Sequence, residues 1–164
     1  MQCKESIVVS VLFVCLGNIC RSPTAEGVFR SLIKQEGLAR EINVDSAGTS
    51  NWHIGGSPDR RATAAARKRG IDLSQQRARQ VEVADFETFD YILAMDRENF
   101  SNLSNLSPTG KEDRVKLFLA FARHADRENV PDPYYGGEDG FDLVLDLTED
   151  ASRGLLAHIR EHHL

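Results

Sequence analysis

Long apolar runs are missing from this chain. No stretch of its 164 residues approaches the ~18 consecutive apolar positions that a membrane-spanning helix needs. The segment Ile7–Gly17 is too short, is flanked by both Lys4 and Glu5, and is followed by no small-x-small cleavage site, so it does not read as a secretion signal. Cysteine is scarce: Cys3, Cys15 and Cys20 carry no paired spacing, which fits a reducing compartment and excludes a disulfide framework. A cytoplasmic protein is expected. Excess basic charge is lacking too. Lys and Arg number 20 against 25 Asp and Glu, and a net charge of −5 argues against general nucleic-acid binding. It leaves room for an anionic ligand, because a local pocket can be positive on an acidic protein. There is no internal repeat, low-complexity tract or linker, so one domain over residues 6–164 is expected, long enough for a real core.

What is present is concentrated between Ile7 and Phe29. The β-branched run IVVSVLFV reads as a buried parallel strand ending at Cys15. The loop Leu16-Gly17-Asn18-Ile19-Cys20 leads to Arg21, and Ser22-Pro23 supplies a natural N-cap and first helical residue. Strand, tight loop and helix N-terminus together make an anion site, because backbone N–H groups and the positive helix end converge. Helix N-termini and neighbouring arginines also stabilise thiolates. Thiol and anion therefore share one place, and Cys15 is a candidate nucleophile toward phosphorus. Cys-x5-Arg alone is a weak signal; the strand before it and the helix after it give it weight. Arg21 is a cation on the wrong end of a helix, which itself suggests an anion between them. Asn18 is one of the few residues that accept a left-handed conformation, a kink that would turn successive N–H groups inward.

Apolar spacing extends the first helix to about Gln35, with Gly37 as its stop. Ile42–Asp45 reads as a second strand, leading into Ser46. Ser57-Pro58-Asp59 starts an Ala- and Arg-rich helix that ends at Gly70. Residues 71–82 form an irregular connection in which Arg77 and Arg79 read as solvated or paired. A short helix is expected over 83–87, strands over Tyr91–Met95 and Val115–Ala120, and a helix capped by Asp96. After a polar loop over 123–140, the last helix runs from about Phe141 to His162 on a stripe of Val144, Leu147, Ala151, Leu155 and Ile159. Alternating strands and helices give a parallel α/β sheet with helices on both faces. Ligands of such sheets sit beyond the strand C-termini, where Cys15, Ser46 and Asp96 all fall.

CLGNICRSPTAEGVFR, with DSAGT at 45–49, FDYILAMD at 89–96 and DPYYGG at 132–137, resembles the low-molecular-weight protein tyrosine phosphatases over nearly the whole chain. The resemblance implies four strands in order 2-1-3-4 and a phosphocysteine mechanism. In it Cys15 is the nucleophile and Arg21 grips phosphate oxygens. Residues Leu16 to Arg21 supply N–H donors, and Ser22 donates to the leaving thiolate. Asp132 becomes the general acid and then the base, a role the Asp-Pro dipeptide would not suggest by itself. Asn18, Ser22 and Ser46 form the network that holds the loop. Ile19, Trp52, Tyr134 and Tyr135 line the crevice for an aryl group, and Cys20 can trap oxidised Cys15 as a reversible disulfide. Gln76 stands where the family often has a His; it can donate and accept but cannot charge.

No cofactor or metal is expected, because N–H groups and Arg21 meet the phosphate charge; His158, His162 and His163 lack the carboxylate or Cys pattern of a real metal site. The expected partners are phosphotyrosine proteins and a cognate tyrosine kinase, and the expected state is a monomer. Three other readings compete. Arginine phosphatases share the loop but tend to carry Thr at the position of Ile19. Arsenate reductases need two further cysteines, which the chain lacks beyond Cys20. A non-catalytic phosphate-binding or redox-sensing module would need no turnover.

Overall fold

A computed structural model describes residues 8–137 and 139–164. Cys3, the flanking Lys4 and Glu5, the domain start at Ser6 and the strand start at Ile7 lie outside the described residues. Four parallel strands form one sheet in the order β2-β1-β3-β4. They are β1 (Val9–Cys15), β2 (Ile42–Gly48), β3 (Tyr91–Ala94) and β4 (Val115–Leu117). The helices are α1 (Arg21–Gln35), α2 (Arg60–Lys68), α3 (Asp85–Thr88), α4 (Arg97–Leu106) and α5 (Asp139–His163). Among the described residues no helix is long and apolar enough to cross a membrane.

The central strand is apolar on both faces because both faces are covered. Val11 and Phe13 point into a core with Phe29 of α1 and Leu155 of α5. Leu12 and Val14 point into the opposite core with Phe86, Ile92 and Leu103. The two-residue period of the strand divides the run between the cores. Phe13 meets Phe29 and Phe118 edge-to-face at centroid distances of 5.7 and 5.1 Å. Each such fully buried ring contributes about 1.5–3 kcal/mol of apolar burial. The whole stripe expected on α5 is buried.

Three strand ends differ from expectation, that of β3 by one residue, at Ala94 rather than Met95. The fourth strand stops at Leu117 and the chain turns through a 3-10 segment, Phe118–Phe121. A continued strand would send Phe118 and Leu119 to opposite faces; the turn puts both into the same core. The second strand runs on to Gly48, because the 78–81 connection pairs with its end. Gly48 N–H donates to the Arg79 carbonyl and Val81 N–H to the Gly48 carbonyl, both at 2.8 Å. Gly48 must be glycine: a Cβ there would lie 2.8 Å from the Leu16 carbonyl oxygen, inside the loop after β1.

Helix α5 passes as closely over the 3-10 turn. A Cβ at Gly154 would lie 1.7 Å from the Phe121 carbonyl oxygen, a backbone atom that cannot rotate away. Gly154→Ala is expected to cost about 2–3 kcal/mol, the usual scale of overpacking, read as a lower urea midpoint with an unchanged slope.

Candidate active site

The site is built where β1 ends and α1 begins. Cys15 is the last residue of β1 and is 3% exposed. Asn18 takes φ = 56°, the left-handed kink expected of it. The loop carbonyls are tied outward: Cys15 O accepts from Thr49 N at 2.9 Å, Leu16 O from Ser50 N at 2.9 Å, and Ile19 O from Asp59 N at 2.8 Å. The N–H groups of Gly17, Ile19 and Cys20 have no acceptor among the described residues. A ring of free donors around a thiol is the electrostatic complement of an oxyanion.

Helix α1 starts at Arg21, with Cys20 rather than Ser22 in the N-cap position and no side-chain cap. Ser22 is thus inside the helix, a correction to the capping role expected of it. Its hydroxyl has been recruited elsewhere, lying 2.9 Å from Cys15 Sγ. Asn18 Nδ2 donates to Ser22 Oγ at 2.8 Å and to Ser46 Oγ at 3.0 Å. Ser22 accepts from Asn18, and its own proton has two acceptors in reach, the sulfur at 2.9 Å and the Ala47 carbonyl at 3.4 Å. Asn18 N–H also reaches the sulfur, at 3.3 Å. The network runs further than Asn18, Ser22 and Ser46. Ser46 Oγ donates to Glu26 Oε1 at 2.8 Å, and Arg79 N–H donates to Asn18 Oδ1 at 3.1 Å. Arg79 is itself paired with Asp45 and Asp85. Gln76 stays outside this network, donating instead to the Pro23 carbonyl at 2.9 Å.

Arg21 is 3% exposed. One guanidinium nitrogen donates to Asp96 Oδ2 at 2.5 Å and to the Val130 carbonyl at 3.1 Å; the other lies 3.7 Å from Asp132 Oδ2. Burial opposes its charge, but Cys15, Asp96 and Asp132 outweigh burial and lift its pKa above the ordinary value. Asp96 does two jobs, since its other oxygen caps α4 by accepting from Asn99 N at 2.7 Å. Asp132 is partly exposed and accepts from Tyr134 N–H at 3.1 Å in a tight turn. Burial first, then the charges of Asp59, Cys15 and Asp132, push the Cys20 thiol far up, so Cys20 stays protonated.

These groups face one cleft of about 290 Å³. Cys15, Leu16, Gly17, Cys20, Arg21 and Asp132 line it. Ile19, Trp52, Tyr134 and Tyr135 line it as well, so all four expected crevice residues come together. Tyr134 and Tyr135 meet edge-to-face at 4.9 Å, and Trp52 and Tyr135 are 70% and 92% exposed, leaving their rings open to a ligand. His53 lines the cleft beside Trp52 and was not anticipated; its signal was membership of the same short loop. Glu26 could have been found as the residue one helical turn after Ser22.

The family model for low molecular weight phosphotyrosine protein phosphatases matches residues 10–163. A Schizosaccharomyces pombe protein named low molecular weight phosphotyrosine protein phosphatase is 46% identical over 153 residues, covering 92% of this chain and 97% of its own. The crystal structure of a protein tyrosine phosphatase from Entamoeba histolytica, with Hepes in its active site, superposes with a TM-score of 0.92 at 40% identity, over 95% of this chain and 99% of that one. A Drosophila arginine phosphatase superposes with a TM-score of 0.85 at 30% identity, over 92% and 97%. With the family model matched over nearly the whole chain and relatives of this identity covering it, the chain belongs to the low molecular weight phosphotyrosine protein phosphatase family.

Proposed function

We propose that the chain hydrolyses phosphotyrosine and other aryl phosphates through a phosphocysteine intermediate, in the single domain expected over 6–164. The observation that carries this reading is the meeting of Cys15, the buried Arg21 and Asp132 at one cleft, with Asp132 3.7 Å from the guanidinium. In the first step the Cys15 thiolate forms a P–S bond as the P–O(aryl) bond breaks. Asp132 gives its proton to the departing phenolate oxygen. The loop N–H groups of Leu16 to Arg21 and the fork of Arg21 hold the equatorial oxygens. In the second step Asp132, now a carboxylate, takes a proton from water as that oxygen attacks phosphorus. The P–S bond breaks and Ser22 donates to the returning thiolate. Ile19, Trp52, Tyr134 and Tyr135 pack on the aromatic ring.

Phosphotyrosine proteins are then the substrates, a tyrosine kinase the opposing enzyme, the cytoplasm the setting and a monomer the working state. A Cys15–Cys20 disulfide would protect the nucleophile under oxidation. The similarity to an arginine phosphatase supports a second reading on the same machinery. Ile19 and the three aromatic residues favour an aryl group over a guanidinium. Turnover of p-nitrophenyl phosphate with chelator and reductant present tests the enzyme reading, and phosphotyrosine against phosphoarginine tests the substrate. Asp132→Ala is expected to lower kcat/KM for phenyl phosphate by about 10²-fold or more, and less for the better p-nitrophenolate leaving group. Phosphate binding without turnover would instead identify a binding module.

A further inference from the structure

The arginine after the one that opens α2 is not an ordinary helix-surface cation. Asp59 caps α2, accepting from the N–H groups of Arg61 and Ala62. Its carboxylate also receives the Arg61 guanidinium, Nε at 3.2 Å on one oxygen and an Nη at 3.1 Å on the other. That same Nη crosses 73 residues of sequence to donate to the Tyr134 carbonyl at 2.9 Å. The guanidinium lies over the Tyr134 ring at 5.5 Å and the Phe141 ring at 4.8 Å. Meanwhile Asp59 N–H holds the Ile19 carbonyl of the phosphate loop at 2.8 Å. On the other side, Tyr134 N–H holds the Asp132 carboxylate at 3.1 Å.

The parts form one line: phosphate loop, Asp59, Arg61, Tyr134, Asp132. Both ends carry reacting groups, and the two halves come from loops that are far apart in sequence. We infer that Arg61 is the positioning residue for the general acid, fixing the Asp132 turn at a set distance from the phosphate loop through Asp59 and the Tyr134 backbone. This rests on the reading of Asp132 as the general acid. Arg61 touches neither substrate nor Asp132. It acts by holding the carbonyl of Tyr134, the residue whose own N–H grips the Asp132 carboxylate, and its stacking on two rings seats that loop against the start of α5. Without it the turn has lost its tie to α2, and the carboxyl meets the leaving oxygen less often.

The test is the leaving-group dependence of kcat/KM, which covers steps through the departure of the phenol. Phenyl phosphate and p-nitrophenyl phosphate are compared for wild type, Arg61→Gln, Arg61→Lys and Asp132→Ala. Arg61→Gln leaves the Asp59 cap on α2 in place, because that cap uses backbone N–H groups. The expected result is a fall of about tenfold in the phenyl to p-nitrophenyl ratio for Arg61→Gln, the scale of a misplaced catalytic group. Asp132→Ala should change the ratio in the same direction and further. Arg61→Lys keeps a donor for the Tyr134 carbonyl and should recover most of the ratio. A variant that merely folds less well lowers both substrates together and leaves the ratio alone. If Asp132→Ala shifts the ratio and Arg61→Gln does not, the positioning role is wrong while the general acid stands. If Asp132→Ala leaves the ratio unchanged, the reading of Asp132 fails and this inference fails with it.

Discussion

Cys15→Ser is expected to abolish hydrolysis of p-nitrophenyl phosphate, by about 10⁴-fold or more, while vanadate and phosphate still bind. Losses of that size follow removal of a nucleophile on which the other groups act. The substitution is small and the position is 3% exposed, so the loop has no reason to rearrange. The kink at Asn18 is fixed by Ser22, Ser46 and Arg79; of these only Ser22 also meets the sulfur, and a serine oxygen can take up that contact. The free N–H donors that would hold the anion are backbone and are unchanged. What is lost is the polarisable, strongly nucleophilic sulfur. A serine hydroxyl here would face the Ser22 hydroxyl and the Asn18 N–H, neither of which is a base that could take its proton. Steady-state kinetics beside calorimetric binding of vanadate separates the two properties. Retention of more than a few per cent of activity would move the nucleophile away from Cys15.

Arg21→Lys is expected to lower kcat/KM for aryl phosphates by about 10³-fold with thermal stability close to wild type. A cationic clamp on a transferring phosphoryl group is worth that much, and Lys cannot replace a planar fork. Lysine is the informative choice because Arg21 also answers to Asp96. Truncation to alanine would leave that carboxylate without its buried partner, a cost of about 3–5 kcal/mol when one member of such a pair is removed. The loss of activity would then be mixed with unfolding. Lysine keeps the charge facing Asp96 while giving up the second donor edge. A loss under tenfold, with the fold intact by circular dichroism, would make Arg21 a structural ion pair and would leave the phosphate to the backbone alone.

What is legible in the sequence alone is local. Cys15, Arg21 and the strand and helix around them were legible because a buried run, a loop and a helix start lie side by side in sequence. The left-handed Asn18 was legible because few side chains tolerate that conformation. Ser22 was misread as a cap because a hydroxyl at a helix start usually serves the backbone, and only the folded loop reveals a sulfur 2.9 Å away. The end of β4 was overrun because Phe118 and Leu119 read equally well as strand, and the need to bury both in one core is a tertiary fact. Asp96 could be placed after a strand, but its pairing with Arg21 spans 75 positions and depends on β3 lying next to β1. Arg79 acts on the loop through its backbone, which no side-chain pattern announces. The position of Asp132 came from likeness to a family and not from chemistry, since 25 acidic residues offer the same group.

The kink at Asn18 has an owner outside its own segment. Every group that would touch a phosphate lies between Cys15 and Ser22, except Asp132. Apart from the bonds Asn18 makes to Ser22 and Cys15, the tethers that bend that segment come from elsewhere: Ser46 at the end of β2, the Arg79 backbone, and Thr49, Ser50 and Asp59 on the loop carbonyls. The segment is therefore not portable. Grafted into another strand–helix junction, it would carry the right letters without the frame that shapes them. Its replacement should copy the flanking loops as a set, and a chain that has not yet docked residues 46–59 and 79 onto β1 owns the ingredients of the catalyst before it owns the catalyst.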